Sequence, residues 1–318
     1  MSNLIRNEWI KIMKRAGTIV MLVILAIAVL GSGALLKYEE SKSSNEASSD
    51  WKKEVEAQIA TDQKNLTELG DKNANMKMHY EREIALNEYR LEQNIAPETE
   101  NHIWSFVSDS IAILGFAGMF MIIIASGMVA SEFSWGTMKL LLIRPISRTK
   151  ILLSKYITVL LFGLFLMAFI FVLSAIVGLI LFGTPTTDSS HLAYVNGKVE
   201  EQNIITYLIG QYLLSSIDII MMSTLSFMIS AIFRNSSLAI GVSLFLLFSG
   251  STATMLLASR YEWTKYILFA NTDLTVYFDG VPPIDGMTLG FSITVLIVYF
   301  IIFHVLAFTV FRKRDVAA

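Results

Sequence analysis

Ile157-Thr-Val-Leu-Leu-Phe-Gly-Leu-Phe-Leu-Met-Ala-Phe-Ile-Phe-Val-Leu-Ser-Ala-Ile-Val-Gly-Leu-Ile-Leu-Phe-Gly183 runs for 27 residues without an Asp, Glu, Lys or Arg. An apolar helix of ~20 residues crosses a ~30 Å hydrocarbon layer. In water such a helix would have no polar face, so it belongs in a bilayer. Five more stretches read the same way: Ala16–Leu36, Ile111–Ala130, Ile204–Phe233, Ser237–Ala258 and Gly286–Phe311. Only the one over 204–233 holds an Asp, Glu, Lys or Arg, namely Asp218. The composition agrees: 54% of residues are hydrophobic, 16% are charged, and mean hydropathy is +0.56. A soluble chain is ~25% charged, so this one lacks the polar surface to cover its apolar residues.

The chain divides accordingly into an N-terminal segment (1–15), a first span (16–36), a long segment (37–106) and a second span (107–130). A connecting segment (131–156) leads to the third span (157–183), a loop (184–203) and the fourth span (204–233). The fifth span (237–258), a loop (259–285), the sixth span (286–311) and a tail (312–318) complete it. The fold class is an all-α polytopic membrane protein with six transmembrane helices. The first stretch is too long for a signal-peptide core, and no small-x-small site precedes a soluble domain. It reads as a retained span.

Basic flanks orient the spans. Residues 1–15, 131–156, 234 and 312–318 carry 13 Lys and Arg against Glu8, Glu132 and Asp315. The short segments of the other side carry Lys198, Arg260 and Lys265 against seven acids. Both termini are therefore expected in the cytoplasm, with the chain in the plasma membrane. Residues 37–106 then form an extracellular insertion. Trp51–Asn94 lacks proline and is rich in Glu, Lys, Gln and Leu, which favours helix. Gly70-Asp71 interrupts a weak heptad of Val55, Ile59, Leu66, Leu69, Met76, Tyr80, Ile84 and Leu91, and Pro97 ends the helix. Two readings stand: a helical hairpin, or a solvated spacer with partial helicity. In the N-terminal segment, Leu4, Ile5, Trp9, Ile12 and Met13 fall on one side of a helical wheel. Asn7, Lys11, Lys14 and Arg15 fall on the other, the pattern of an amphipathic interface helix with Trp9 at headgroup depth.

The net charge of −2 and pI near 6.1 give no electrostatic case for nucleic acid. Cysteine is absent and the four histidines are isolated, so neither disulfides nor metal-ligand spacing can be read. Ser292 and His304 lie ~18 Å apart along one helix, too far for a catalytic dyad. No catalytic residue is assigned.

The connecting segment, Ser131-Glu-Phe-Ser-Trp-Gly-Thr-Met-Lys-Leu-Leu-Leu-Ile-Arg-Pro-Ile-Ser-Arg-Thr-Lys-Ile-Leu-Leu-Ser-Lys-Tyr156, is unusual for a short loop. Gly136 breaks the preceding helix, and Met138–Ile143 forms an apolar turn with Lys139 on it. Arg144-Pro145 stops that turn, and Ser147 can cap the next helix. The string resembles the coupling segment of type-2 ATP-binding-cassette transporter permeases, the membrane subunits of bacterial exporters. The Asn7-Glu8-Trp9 helix and the Phe311-Arg-Lys-Arg-Asp315 ending are similar to that family's termini. The helix-rich insertion departs from many relatives. The chain holds no phosphate-loop motif, and Gly197-Lys198 lacks its context. The resemblance therefore implies that ATP and Mg are handled by separate cytoplasmic ATPase subunits, with no cofactor in this chain. It further implies a second permease copy, identical or paralogous. The ATPase contact falls on Trp135, Met138, Lys139, Leu141, Leu142, Arg144 and Arg148, with Glu8, Trp9 and Lys11 of the interface helix beside them.

Gln211, Ser215, Asp218 and Ser226 share one face of the fourth span. They line an export path or form an interhelical hydrogen-bond node; the node is favoured because transport in the resembled family is driven by ATP. Ser174 and Gly178 form a small-xxx-small pair for close helix contact, and His304 is expected to pack. Aromatics mixed with charge over 260–283 suit an outer interfacial cap. The expected function is export of a hydrophobic or amphipathic substrate, such as a lipid, peptide or peptide antibiotic. The alternatives are an ATP-independent transporter or channel using Asp218, and a sensor whose outer loop binds a ligand.

Overall fold

The computed structural model describes residues 1–43, 51–70, 74–97, 101–137, 146–185, 190–195 and 197–313. Six helical stretches are long and apolar enough to cross a membrane, as the sequence predicts. A short helix α1 (Ser2–Met13) precedes the first, α2 (Ala16–Ser43). Helix α2 outruns the apolar stretch because the Lys37–Glu40 pair, at 3.1 Å, supports another turn. Two polar helices follow, α3 (Trp51–Leu69) and α4 (Ala74–Gln93). The second span is compound: α5 (Ile103–Asp109), a 3₁₀ turn (Ser110–Ile113), then α6 (Leu114–Ser134). His102 Nδ1 caps α5 by accepting from the backbone N–H of Trp104 and Ser105. The remaining spans are α7 (Arg148–Leu181), α8 (Ile204–Phe233), α9 (Ser236–Ala258) and α10 (Leu289–Lys313).

Helices α6 and α8 form the centre. The apolar windows of their spans are each 67% buried, against at most 33% for the other four. These two run parallel and share a seam of small residues spaced four apart: Ser126 and Ala130 on α6, Ser226 and Ser230 on α8. The Ser126 and Ser226 hydroxyls hydrogen-bond each other. Ser226 donates to Ile122 O, Ser230 donates to Ser126 O, and Ser230 Oγ accepts from the Ala130 N–H. Small side chains let the two backbones approach, and the hydroxyls bond across the gap. Around this seam pack α7, α9 and α10, while α2 lies outermost against α7. Gly178 of α7 makes the expected close contact. A Cβ there would meet the Ile103 Cα at 3.1 Å and its carbonyl at 3.2 Å.

Helix α1 and the described end of α10 lie on one face, called here the terminal face; the polar connections crowd the other, the distal face. There α3 and α4 pack against each other. Gly70 ends α3 at φ +58° and Asn94 ends α4 at φ 57°, so the second helix stops three residues before Pro97. The 184–203 loop contains a two-stranded antiparallel ribbon, β1 (Ser190–Val195) and β2 (Lys198–Asn203), paired in register from Ser190–Asn203 to Val195–Lys198. The intervening Asn196-Gly197 is the sequence signature of such a hairpin. Helix α4 is bound to the distal loops: Asn75 Nδ2 donates to Pro282 O at 2.7 Å, Arg82 to Gly280 O at 3.3 Å, and Tyr89 to Glu201 at 3.1 Å.

Substituting Gly178→Leu forces its side chain into the Ile103 backbone, which cannot retreat without moving α5. We expect it to lower unfolding stability in detergent by ~1–3 kcal/mol. Gly210→Leu, where a Cβ meets nothing within 4 Å, leaves the midpoint in place. Equal midpoints for the two variants would contradict this packing.

Candidate functional site

Four charged side chains converge where α1, α6 and α7 meet on the terminal face. Lys155 Nζ lies 2.9 Å from Glu8 Oε2 and 2.9 Å from Glu132 Oε1, with its side chain 1% exposed. Lys11 Nζ closes the group at 3.1 Å from Glu8 and 3.2 Å from Glu132. Thr137 donates to the Glu132 carboxylate from beyond the end of α6. The cluster is neutral overall. Lys11 is the half-exposed member: burial works against its charged form, but the Glu8 and Glu132 carboxylates outweigh this and raise its pKa. A raised lysine pKa adds stability in full below about 10.5, and loses it as pH rises through the folded value.

The sequence places each member here for a local reason. Leu4, Glu8 and Ile12 are four residues apart, so Glu8 lies on the apolar side of α1 rather than the polar one. That side meets α7. Ile12 is fully buried, and Trp9 packs edge-on against Phe162 and Phe165 at 6.2 and 5.8 Å. Trp9 therefore packs on α7 with part of its ring exposed, and Lys11 is drawn into the cluster from the solvent side of the wheel. Glu132 and Lys155 counted in the sequence only as flanking charges; being 23 residues apart, they left no local pattern that could have paired them.

These contacts close the base of the 131–156 segment. Gly136, at φ +68°, ends α6. Ser147 caps α7 as predicted, accepting from the Lys150 N–H at 3.4 Å. Trp135 is 66% exposed, with the Arg15 guanidinium 5.7 Å from its ring. Arg148 donates to Arg312 O at 3.3 Å, linking the base of α7 to the end of α10. Met138, Lys139, Leu141, Leu142 and Arg144 lie outside the described residues.

The polar face of α8 divides among three surroundings instead of forming one stripe. Gln211 donates to Asp279 and to Tyr207, and Ser226 belongs to the seam with α6. Ser215 and Asp218 open on a cavity of about 390 Å³, shared with Gly115, Leu247, Ser251 and Asp273. Thr272 lines the same cavity as the Asp218 carboxylate. His304 packs as expected, bonded to Phe300 O at 2.8 Å and edge-on to Tyr156. Ser292 donates to Asn271 Oδ1 at 2.7 Å and shares a 2.6 Å hydrogen bond with Tyr277, so it ties the distal loop to α10.

On the distal face Asp279 is a second node that the sequence did not reveal. Tyr207 donates to it at 2.9 Å, and His191 Nε2 lies 3.5 Å away while its ring stacks on Tyr207. Burial works against the ionised carboxylate. The hydrogen bond from Tyr207, the His191 ring beside it and the charge of Arg82 still hold it below the usual carboxylate range. Among the described residues, no group of three His, Asp or Glu could hold a metal ion.

Residues 76–317, which include all these sites except those on α1, match the family described as "Protein of unknown function (DUF2705)". The chain belongs to that family. This DUF2705 member is 50% identical over 319 residues, 100% of both chains, to "Uncharacterized protein YhcI" of Bacillus subtilis (strain 168). It is 38% identical over 197 residues to "Uncharacterized membrane protein YdbK" of the same strain, covering 61% of this chain and 76% of that one.

Removing Lys155 leaves two buried carboxylates to share Lys11 alone. Breaking one side of a buried ion pair costs ~3–5 kcal/mol. Lys155→Met in this DUF2705 chain should accordingly lower the unfolding midpoint steeply, and Lys11→Met much less because its side chain is 40% exposed. Comparable small losses from both variants would show that the cluster is not the joint described here.

Proposed function

We propose that the chain is the membrane permease of an ATP-driven exporter of the ATP-binding-cassette class, worked by a separate cytoplasmic ATPase. One observation carries this reading beyond the sequence resemblance: the two stems of the 131–156 segment are fastened together. Glu132 ends one stem and Lys155 begins the other, and their buried pair also grips α1 through Glu8. A loop fixed only by its flanking helices would bend when pushed. A loop clamped at its base passes displacement to both spans and to α1 at once, as a docked motor requires. In this reading α1 lies in the cytoplasmic interface, 37–106 is an extracellular insertion, and both termini are cytoplasmic. A second permease copy completes the path for a hydrophobic or amphipathic substrate, and the ATPase alone binds ATP and Mg.

Orientation has its own check. A cysteine at Ser190 should react with an impermeant thiol reagent in intact cells, while one at Ser147 should not; labelling of Ser147 from outside would reverse the topology. For coupling, Met138, Leu141 and Leu142 supply the apolar anchors and Arg144 the charge. Loss of one buried anchor costs more than ~2 kcal/mol, a ~30-fold weakening. Leu141→Asp with Arg144→Glu should leave the protein inserted and folded, yet abolish ATPase copurification and substrate-stimulated ATP turnover. Normal copurification and turnover in that variant would remove the central support.

A second reading, transport without ATP, is favoured by one feature: Asp218 lines a cavity at membrane depth. The same assay separates the two. Asp218→Asn keeps ATP-driven transport in the exporter reading and abolishes transport in the other.

A further inference from the structure

We propose that the cleft at the distal end of α9 binds the headgroup of an aminophospholipid from the adjoining leaflet. The cleft has a volume of about 700 Å³, within the range of ligand sites. Met76, Met255 and Ile284 form its apolar wall, and Glu262, Lys265 and Asp285 supply its charge. Among the described residues, none of these three charged groups makes an ion pair.

The position argues for a lipid. Helix α9 spans the bilayer and ends at Ala258, on the cleft's edge. Met255 and Leu256 are 62% and 72% exposed on the lipid side of that last turn. Tyr261, Trp263 and Tyr266, beside the cleft, are also exposed, as aromatic side chains at headgroup level are. An acyl chain can follow Met255 and Leu256 while the headgroup enters the cleft.

The charges choose the headgroup. Lys265 suits a phosphate, and two carboxylates suit an ammonium with N–H donors to offer. A headgroup with no cation would leave both carboxylates opposed to its negative charge. A quaternary ammonium has no N–H, and aromatic cages are its usual receptor; among the described residues, no aromatic one lines this cleft. The inference does not depend on the exporter reading, since a permease, channel or sensor could each hold such a lipid.

The test is native mass spectrometry of the full chain in detergent, titrated with dioleoyl phosphatidylethanolamine, phosphatidylcholine and phosphatidylglycerol. One charge-assisted hydrogen bond corresponds to roughly a tenfold difference, so phosphatidylethanolamine should be retained about tenfold better than either other lipid. Glu262→Gln with Asp285→Asn should erase its advantage over phosphatidylcholine. Lys265→Met should weaken both alike. Glu262 and Asp285 are exposed, and Lys265 is half-buried with its ammonium 5.7 Å from the Tyr266 ring, so nearly unchanged unfolding midpoints without lipid are expected, and a variant that fails to fold is replaced by Glu262→Gln alone. Equal retention of the three lipids, preference for phosphatidylglycerol, or a preference indifferent to the carboxylates would overturn the proposal.

Discussion

Hydrocarbon offers no hydrogen-bond partner, so every polar group carried into the bilayer must find one within the chain. Helix formation answers this for the backbone; the side chains then decide how the helices meet. Ser126, Thr158 and Thr224 each bond a carbonyl four residues back on their own helix. That local bond makes a hydroxyl tolerable in lipid and leaves it able to take a second partner. Ser126 and Thr224 do so, meeting Ser226 and Tyr156 on neighbouring helices. The seam between α6 and α8 is thus set in register by polar bonds at four-residue spacing. The same rule governs the distal loop where it dips among the helices. Its non-helical backbone is acceptable there because Asn271, wholly buried, bonds the carbonyls of Lys265 and Ile267 and receives Ser292.

Charge is a harsher case of the same constraint. A lone carboxylate or ammonium at membrane depth is costly, and the chain meets that cost in two ways. On the terminal face, two bases and two acids neutralise one another within hydrogen-bond distance, and burial can be nearly complete. At Asp218, among the described residues, no base forms an ion pair, and the carboxylate instead shares a cavity with Ser215, Ser251 and Thr272. The first arrangement is a joint; the second leaves room for water or a ligand. This contrast makes the terminal cluster the better candidate for transmitting force, and Asp218 the natural home of the rival reading.

The spans were legible because composition alone determines them: a stretch such as 157–183 cannot be exposed to water on any face. Local chemistry was legible too, since Ser147 caps α7 and Gly70 ends α3 within a few residues of the signal. Pairings were not. Glu8 and Lys155 are 147 residues apart, and nothing in either neighbourhood says that they meet. Gln211 looked like a continuation of Asp218 because a helical wheel has no knowledge of neighbours. Once α4, the ribbon and the distal loop gather around α8, Gln211 turns to Asp279 instead. The ribbon could have been read from Asn196-Gly197, but the polar, charged β2 strand obscured the alternation that normally marks a strand. The family resemblance rests on 131–156, and its apolar anchors fall outside the described residues, so geometry supports the base of that segment more than its tip.

Why should the joint be ionic? Well-packed apolar residues in place of a buried ion pair are often as stabilising or more so, so stability alone does not account for Glu8, Lys11, Glu132 and Lys155. What charges add is discrimination among registers. Apolar helices can slide by part of a turn and lose little, whereas sliding α1 by one turn along α7 would shift Glu8 from Lys155 and Lys11 from Glu132 by ~5 Å, breaking both cross-helix pairs of the cluster. The cluster therefore permits α1 and the two stems to move together and penalises movement between them. A cytoplasmic motor pressing on the segment needs that property, because displacement absorbed between α6 and α7 would never reach the spans. The Arg148 bond to the end of α10 extends the clamp across the bundle. On the proposed reading, the terminal face then behaves as one plate through which the ATPase acts on the second, third and sixth spans.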